Sequence, residues 1–537
     1  MSDSKNALSV SGIGSGEGGL SLSGSGRGGG GGGIGVSYGR GAGVGTSGLG
    51  GIGYSGKGTG AKIGRGAYAR QSGFVEPQRQ SEGYRDYGIN RWTNAADDRF
   101  STFAIDVDTG SYTLARRKLE GGELPLPEAV RVEEFMNYFR YSYSEPIDGP
   151  FAVHLEAAPN PFSAEPERVL LRVGLQARSL AGAERKPVHL TFLVDVSGSM
   201  NRADRLPLVK RTLEVLTNNL RAGDTVALAT YAGRVAKILD PTGVEQKGRI
   251  LEAIEALNAG GSTAMSSGID LAYELAHKNF KPGEVNRVII LSDGDANVGR
   301  TSHEAILDQI AGHVKRGITL STVGFGVGNY QDVMMEQLAN RGNGNYHYVD
   351  RLEEAHRIFG DQLGGTLEVI AKDVKIQVDF HPEAVKRYRL IGYENRDIAD
   401  KDFRNDSVDA GEIGVGHTVT ALFEVELDER ADTSAIATLR VRHKAPDGEV
   451  AREAAFALER SQIKLNIDAA STDFSFVAAV ATFAELLRES PHVVGLNPAQ
   501  VEALASKSAG SSPDRREFLR LVGLARPMLE ARFNTVR

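Results

Sequence analysis

The stretch LVDVSGSM, residues 193–200, joins a run of apolar residues to three polar side chains. The apolar run VHLTFLVD (188–195) ends on Asp195, and Ser197 and Ser199 follow at alternate positions. A buried strand gains nothing from a carboxylate at its end, because an unpaired buried charge is costly. The stretch therefore predicts a polar site at the carboxyl end of a strand.

Short apolar and β-branched runs alternate with helical patterns between residues 186 and 360. One helical pattern repeats apolar residues at intervals of three and four, at Leu206, Val209, Leu213, Leu216 and Leu220. Buried strands that alternate with amphipathic helices predict an α/β domain with a doubly wound parallel sheet, covered on both faces. The run RVAKILD follows ATYAG after almost no turn, so we expect it to pair antiparallel at an edge.

Alternating strand patterns flank this α/β region, at 150–180 and 366–465, and helical patterns close the chain at 473–488 and about 498–535. We predict that the flanking strands form one β-sandwich into which the α/β domain is inserted. The first 73 residues hold 28 of the 65 glycines, which predicts a disordered segment. The predicted divisions are a disordered Gly-rich tail (1–95), an N-terminal α/β unit with the first sandwich strands (96–185), the α/β domain (186–360), and a C-terminal β-sandwich and helical region (361–537).

Bulk composition excludes several classes of function. The net charge of −7 argues against a nucleic-acid groove, and the lack of cysteine excludes disulfides and thiolate chemistry. The sequence contains no run of 18 apolar residues, so it predicts no transmembrane helix. The start MSDSKNALSV lacks a secretory signal pattern. The basic C-terminal helix is predicted to pack on the core with a solvated basic face, and peripheral membrane association stays open.

Two further polar positions extend the site at Asp195. Asp293 ends the strand pattern RVIILSD, and Thr263 lies in the loop NAGGSTAM before a helix. In a sheet of order 3-2-1-4-5-6 the first and fourth strands are neighbours, so both carboxylates open into one crevice. Oxygen ligands alone suit Mg²⁺ or Mn²⁺. We call the five predicted ligands the metal-site set: Asp195, Ser197, Ser199, Thr263 and Asp293.

The segments DVSGSM, GGSTAM and LSDGDAN resemble the three parts of the metal-ion-dependent adhesion site of von Willebrand factor A (VWA) domains. The stretches before and after them resemble bacterial YfbK-like VWA proteins over nearly all of residues 95–537. The resemblance implies a Rossmann-like VWA domain, a bound Mg²⁺ (or Mn²⁺), and a protein partner that offers an acidic residue to the metal. It also implies a non-enzymatic adhesion or assembly role in the cell envelope, with the cytoplasm as the alternative because no signal precedes the domain.

Three other functions compete with adhesion: assembly with an AAA-type ATPase, metal-dependent hydrolysis, and a structural domain without metal. Hydrolysis needs a general base, and the loop that follows Asp195, VSGSMNRADR, offers no His or Lys for this role. The segment DVDTGSY (106–112) is similar to a phosphatase or aspartic-protease motif, but Gly110 stands where the phosphatase needs Thr. We predict that Asp106 and Asp108 stabilise a turn by accepting hydrogen bonds from backbone N–H groups.

Overall fold

The computed structural model describes residues 83–180, 185–261, 265–294, 303–326 and 330–536. The strands in these ranges are β1 (Thr93–Asn94), β2 (Phe100–Ala104), β3 (Phe151–Pro159), β4 (Arg168–Ala177), β5 (Val188–Asp195), β6 (Thr225–Tyr231), β7 (Ala236–Gly243), β8 (Val285–Ser292), β9 (Thr319–Phe325), β10 (Tyr346–Val349), β11 (Val369–Phe380), β12 (Val385–Ile391), β13 (Gly411–Gly414), β14 (Thr418–Leu427), β15 (Ala435–Lys444) and β16 (Ala451–Glu459). The helices are α1 (Gly110–Glu120), α2 (Val132–Tyr138), α3 (Leu206–Asn219), α4 (Lys247–Glu255), α5 (Met265–Lys278), α6 (His303–Val314), α7 (Asp332–Arg341), α8 (Leu352–His356), α9 (Leu363–Leu367), α10 (Thr472–Leu487), α11 (Pro498–Ser508) and α12 (Pro513–Val536).

The α/β domain is built on a sheet of order β10-β9-β8-β5-β6-β7. Neighbouring strands from β10 to β6 are parallel, and β7 pairs antiparallel with β6 at the edge. Numbered along the domain, this order is the predicted 3-2-1-4-5-6. The doubly wound fold class and the antiparallel edge strand are therefore confirmed.

Strand β5 shows why both faces of the sheet are covered. Phe192 and Val194 point into the apolar cluster formed with α3, α4 and the helical segment after β10, whereas Leu193 points into the cluster formed with α5 and α6. Because successive side chains of a strand point to opposite faces, an unbroken apolar run is the pattern expected of a strand buried on both sides.

The sandwich joins strands from both sides of the α/β domain. One sheet has the order β1-β12-β14-β4-β3, and the other has the order β13-β11-β15-β16 with β2 also paired to β11. The ring of Phe380 lies between the sheets, with its centroid 4.2 Å from that of Tyr388 and 5.5 Å from that of Phe423. Because β4 pairs with β14 along its length, the α/β domain is inserted in the sandwich, as predicted.

The predicted end of the N-terminal tail is wrong. The predicted tail extends to residue 95, but Asn90 donates to the carbonyl oxygens of Leu390 and Gly392, and β1 pairs with β12. Within the predicted N-terminal division (96–185), β2 joins the sandwich by pairing with β11. Residues 1–82 of the predicted tail lie outside the described residues.

The end of the α/β domain also differs from the prediction. The last helical segment of the domain consists of α8, a π-helical turn at Arg357–Asp361 and α9, so the domain ends near residue 368 instead of the predicted 360. The carbonyl oxygen of Gly365 in α9 lies so close to Gly414 in β13 that a Cβ built there would approach it to 1.9 Å. The last helix of the domain thus contacts the sandwich directly.

The C-terminal region is helical, with a break that the sequence pattern did not show. The predicted helical stretch 498–535 is divided into α11 and α12, and Gly510 in the break has a φ of +60°. Phe518, Leu521 and Leu529 of α12 are buried, so α12 packs on the core. No helix in the described ranges is both long enough and apolar enough to cross a membrane.

Candidate metal centre

The two aspartates of the metal-site set lie at neighbouring strand ends. Asp195 is the last residue of β5, and Asp293 follows the last residue of β8. These strands run side by side, with Val194 opposite Leu291. Both carboxylates are buried, Asp195 completely. The fold therefore brings them to one crevice, as the strand order predicted.

Hydrogen bonds fix the carboxylate of Asp195 in place. The backbone N–H of Ser197 donates to Oδ1 at 2.8 Å, and the hydroxyl of Ser292 donates to Oδ2 at 3.1 Å. Burial raises the pKa of Asp195 to about 6; the hydrogen bonds from Ser197 oppose this rise and the charge of Asp293 adds to it. A buried carboxylate of this kind is stabilised by a cation.

The two serine hydroxyls meet through a turn. Ser197 is extended, with φ −60° and ψ 167°, and a 3₁₀ turn follows at Gly198–Met200. The oxygens Oγ of Ser197 and Oγ of Ser199 are 2.9 Å apart. Alternate positions share a face only in an extended backbone, so it is the turn, and not the spacing by itself, that brings the two hydroxyls together. The turn thus brings two neutral oxygen ligands, the hydroxyls of Ser197 and Ser199, together beside Asp195.

Thr263 lies outside the described residues, but the segment that leads to it is described. The N–H of Gly260 donates to the carbonyl oxygen of Val196 at 2.7 Å, and the N–H of Gly198 donates to the carbonyl oxygen of Gly261 at 3.0 Å. Gly261 has a φ of +97°, and a Cβ there would lie 2.9 Å from the backbone nitrogen of Gly233. Only glycine fits this position, two residues before Thr263.

Arg205 belongs to the site although the sequence analysis did not include it. Its Nη1 donates to Oδ2 of Asp293 at 2.5 Å and to the carbonyl oxygen of Ser199 at 2.9 Å. The guanidinium thus joins the two loops and offsets the charge of Asp293. A clue in the sequence was the position of Arg205 directly before α3, in the loop after the serines.

The donor set fits a hard divalent cation. Asp195, Ser197 and Ser199 present oxygen atoms from one loop, and Asp293 adds a second carboxylate, which suits Mg²⁺ or Mn²⁺. No three His, Asp or Glu side chains of the described residues lie together in a way that could hold a metal ion. A metal at this site therefore depends on the serine hydroxyls.

Three family models match the chain. The model described as von Willebrand factor type A domain matches residues 189–361, the one described as von Willebrand factor matches 78–172, and the one described as Uncharacterized protein YfbK, C-terminal, matches 365–528. The first of these covers most of the α/β domain and every position of the metal-site set.

Individual proteins resemble the chain over different lengths. Uncharacterized protein YfbK of Escherichia coli (strain K12) is 38% identical over 472 residues, which cover 82% of this chain and 80% of that protein. The magnesium-chelatase 60 kDa subunit of Rhodobacter capsulatus is 30% identical over 210 residues, or 38% of this chain and 36% of that protein. A solved von Willebrand factor type A structure from Catenulispora acidiphila is 16% identical and covers 69% of this chain and 88% of its own, with a TM-score of 0.43.

Proposed function

Because the chain belongs to the YfbK-like family of bacterial VWA proteins, we propose that its α/β domain binds a partner protein through a divalent ion. A VWA domain indicates interaction with another protein, and the proposal adds how the interaction is made. The metal-site set holds Mg²⁺ or Mn²⁺, and a carboxylate of the partner completes the ligand shell.

One observation carries this proposal. The carboxylate of Asp195, the paired hydroxyls of Ser197 and Ser199, and the carboxylate of Asp293 converge at the adjacent ends of β5 and β8. The carboxyl ends of strands at a switch point are where open α/β sheets bind ligands. The residues that surround the site supply oxygen donors in the number and kind that a small divalent ion prefers.

The charges around the site favour an acidic partner. Asp195 and Asp293 contribute two negative charges, and Arg205 cancels one of them through its contact with Asp293. A divalent ion added to this arrangement leaves a net positive centre, which attracts a Glu or Asp side chain. Arg205 therefore has a positioning role: it holds Asp293 and preserves the positive charge that the partner recognises.

We propose a binding function without catalysis. Arg205 is the cationic side chain that contacts the described part of the metal-site set. Its guanidinium is a poor general base, because it stays protonated in proteins. Hydrolysis by metal-activated water needs a group that accepts a proton. If the chain turned over phosphoesters or peptides and Asp195→Ala abolished that turnover, the hydrolase alternative would replace the binding proposal.

The likeness to the magnesium-chelatase 60 kDa subunit, whose name makes it one part of an assembly, favours assembly with other proteins as a second candidate function. In this candidate, the chain assembles inside the cell with an ATPase of the AAA type. For the first candidate, adhesion, we propose that the protein acts in the cell envelope. Cell fractionation with an antibody against the full chain separates them, because adhesion requires the protein in the envelope fraction and the second candidate requires it in the cytoplasm.

The metal site is tested by thermal unfolding of the full chain in EDTA, Mg²⁺ and Mn²⁺. A ligand that binds only the folded state stabilises it by about 4 kcal/mol at a thousandfold excess over Kd. We expect a metal-dependent rise in Tm in the parent chain and little or none in Ser199→Ala, which removes one neutral ligand.

The matched control is Ser407→Ala. Ser407 is an exposed serine whose hydroxyl donates to Asn405 at 2.7 Å within a sandwich loop, so its loss should leave the metal response unchanged. An equal rise in Tm in the parent and in Ser199→Ala would show that metal binds elsewhere and would refute the proposed site. No rise in the parent would refute metal binding by the unliganded chain.

A further inference from the structure

A second cavity, of about 360 Å³, lies far from the metal-site set. It is lined by residues 104–108 after β2, by Asn340, Gly344 and Asn345 around the turn after α7, and by segments of the sandwich between 395 and 412. Gly344 lies against the carbonyl oxygen of Leu320 at the amino end of β9. The metal-site set lies at the opposite, carboxyl edge of the same parallel sheet, roughly 20 Å away along a seven-residue strand.

Carboxylates dominate the lining of this cavity. The acidic residues among the lining side chains are Asp106, Asp108, Asp397, Asp402, Asp409 and Glu412. Of the described residues that line it, Arg396 carries the positive charge. Its Nη2 donates to Asp106 at 3.0 Å and to Asp108 at 3.1 Å, and its Nη1 donates to Asn340. Arg396 thus binds only one wall of the cavity. The acidic residues of the opposite wall, Asp402, Asp409 and Glu412, have no cationic partner among the described lining residues.

A buried acceptor in the lining lacks a donor. Asp106 is 3% exposed, and its Oδ2 has no hydrogen-bond partner, whereas its Oδ1 accepts from the N–H of Asp108 and from Arg396. The side-chain oxygen of Asn395 also has no partner. Both aspartates accept from backbone N–H groups as predicted: Asp106 accepts locally from Asp108, whereas Asp108 accepts from Tyr346, which is distant in the chain. Oδ2 of Asp106 stays unused. Buried polar groups are normally paired, so these oxygens indicate a missing donor.

The electrostatics of the cavity agree with a missing cation. Burial, together with the negative charges of Asp409 and Asp373, raises the pKa of Glu412 to about 8, although Arg287 and Arg396 act in the opposite direction. Burial and Asp106 likewise raise the pKa of Asp108. Carboxyl groups retain protons in this way where negative charge is not balanced.

We propose that this cavity binds a small organic cation that carries a guanidinium or ammonium group. A bare metal ion fits less well, because no three acidic or His side chains of the described residues lie close enough together to hold one. The volume is roughly ten times that of a water molecule and lies in the range of small-molecule sites. An N–H-rich cation supplies the donors that Asp106 and Asn395 lack, and its alkyl part fills the remaining space.

The test is isothermal titration of the full chain with agmatine, an alkylguanidine, and with cadaverine, an alkyldiamine. N-Butylurea is the neutral probe of similar shape, and Ca²⁺ and Mg²⁺ test for a metal. We expect one of the organic cations to bind and N-butylurea to bind at least tenfold more weakly. Binding should strengthen from pH 6 to pH 8.5, because Glu412 loses its proton over that range and then attracts the cation.

Two variants connect the binding to this cavity. Glu412→Gln should weaken binding of the cation at pH 8.5 at least tenfold and flatten the pH dependence. Glu429→Gln, which changes an exposed glutamate outside the lining, should change neither. Circular dichroism verifies that both variants fold. Four results would overturn the proposal. These are equal binding of N-butylurea, binding of the divalent metals alone, no binding of either organic cation at concentrations up to roughly 10 mM, and unchanged binding in Glu412→Gln.

Discussion

Protonation of His347 makes the free energy of unfolding depend on pH, by an amount that can be calculated. This residue of β10 is 4% exposed, and neither ring nitrogen has a hydrogen-bond partner. Burial lowers the pKa of His347 to about 3, helped by the positive charge of Arg357 and opposed by Glu354. In the unfolded chain a histidine has a pKa of about 6.5. The unfolded state therefore binds a proton below pH 6.5 that the folded state binds only near pH 3.

The sign and magnitude follow from linkage between protonation and folding. Because the pKa of His347 is lower in the folded chain than in the unfolded chain, the free energy of unfolding is highest above pH 6.5 and falls as the pH falls towards 3. From pKa values of about 3 and 6.5, His347 costs the folded state about 2 kcal/mol at pH 5 relative to pH 7. A folded-state pKa of about 4 would give nearly the same figure at pH 5, since the ring would still be neutral there.

The variant His347→Gln removes this titration. We expect the free energy of unfolding of the variant, relative to the parent, to rise by about 2 kcal/mol between pH 7 and pH 5. Urea unfolding followed by circular dichroism at both pH values measures the difference, and any constant cost of the substitution cancels. His356→Gln, at an exposed histidine of α8, is the control and should show no such change. A parent-to-variant difference that is the same at both pH values would refute the burial argument.

Two other substitutions test contacts described above. Arg205→Gln removes the ion pair that Arg205 makes with the buried carboxylate of Asp293, so the metal-free chain should lose about 3 kcal/mol. Thermal unfolding should then show a larger stabilisation by Mg²⁺ than in the parent, and an equal or smaller one would contradict the charge argument. Gly414→Ala places a methyl group against the carbonyl oxygen of Gly365 and should destabilise the chain by about 1–3 kcal/mol. Gly364→Ala has its nearest contact at 3.9 Å and should be tolerated; similar urea midpoints for both alanine variants would refute the close contact.

The order of the central sheet could be predicted because it depends on local patterns and general rules. Uninterrupted apolar runs identify strands buried on both faces, and right-handed crossovers between them leave few possible strand orders. The short link between β6 and β7 required an antiparallel pair. The same rules placed Asp195 and Asp293 in one crevice without knowledge of any side-chain contact.

The sequence pattern predicted strands less well where charged residues alternate with apolar ones. Strand β12, VKRYRLI, was not predicted, because three of its seven residues are charged. Its Arg387 and Arg389 pair with Glu426 and Glu424 of β14, so charged residues that argued against a strand are stabilised by partners on the neighbouring strand. This compensation depends on residues more than 30 positions away and leaves no local signal.

The sequence by itself determined the α/β domain, its insertion between sandwich strands, and four neighbouring positions of the metal-site set that the structure describes. These features follow from periodicity and from short spacings, which act within one or two elements. Only the tertiary structure decided that Arg205 contacts Asp293 and that Asp106, Arg396 and Glu412 line one cavity. Such contacts join residues 88 to roughly 300 positions apart, because folding within the α/β domain and within the sandwich brings together loops that are distant in the chain.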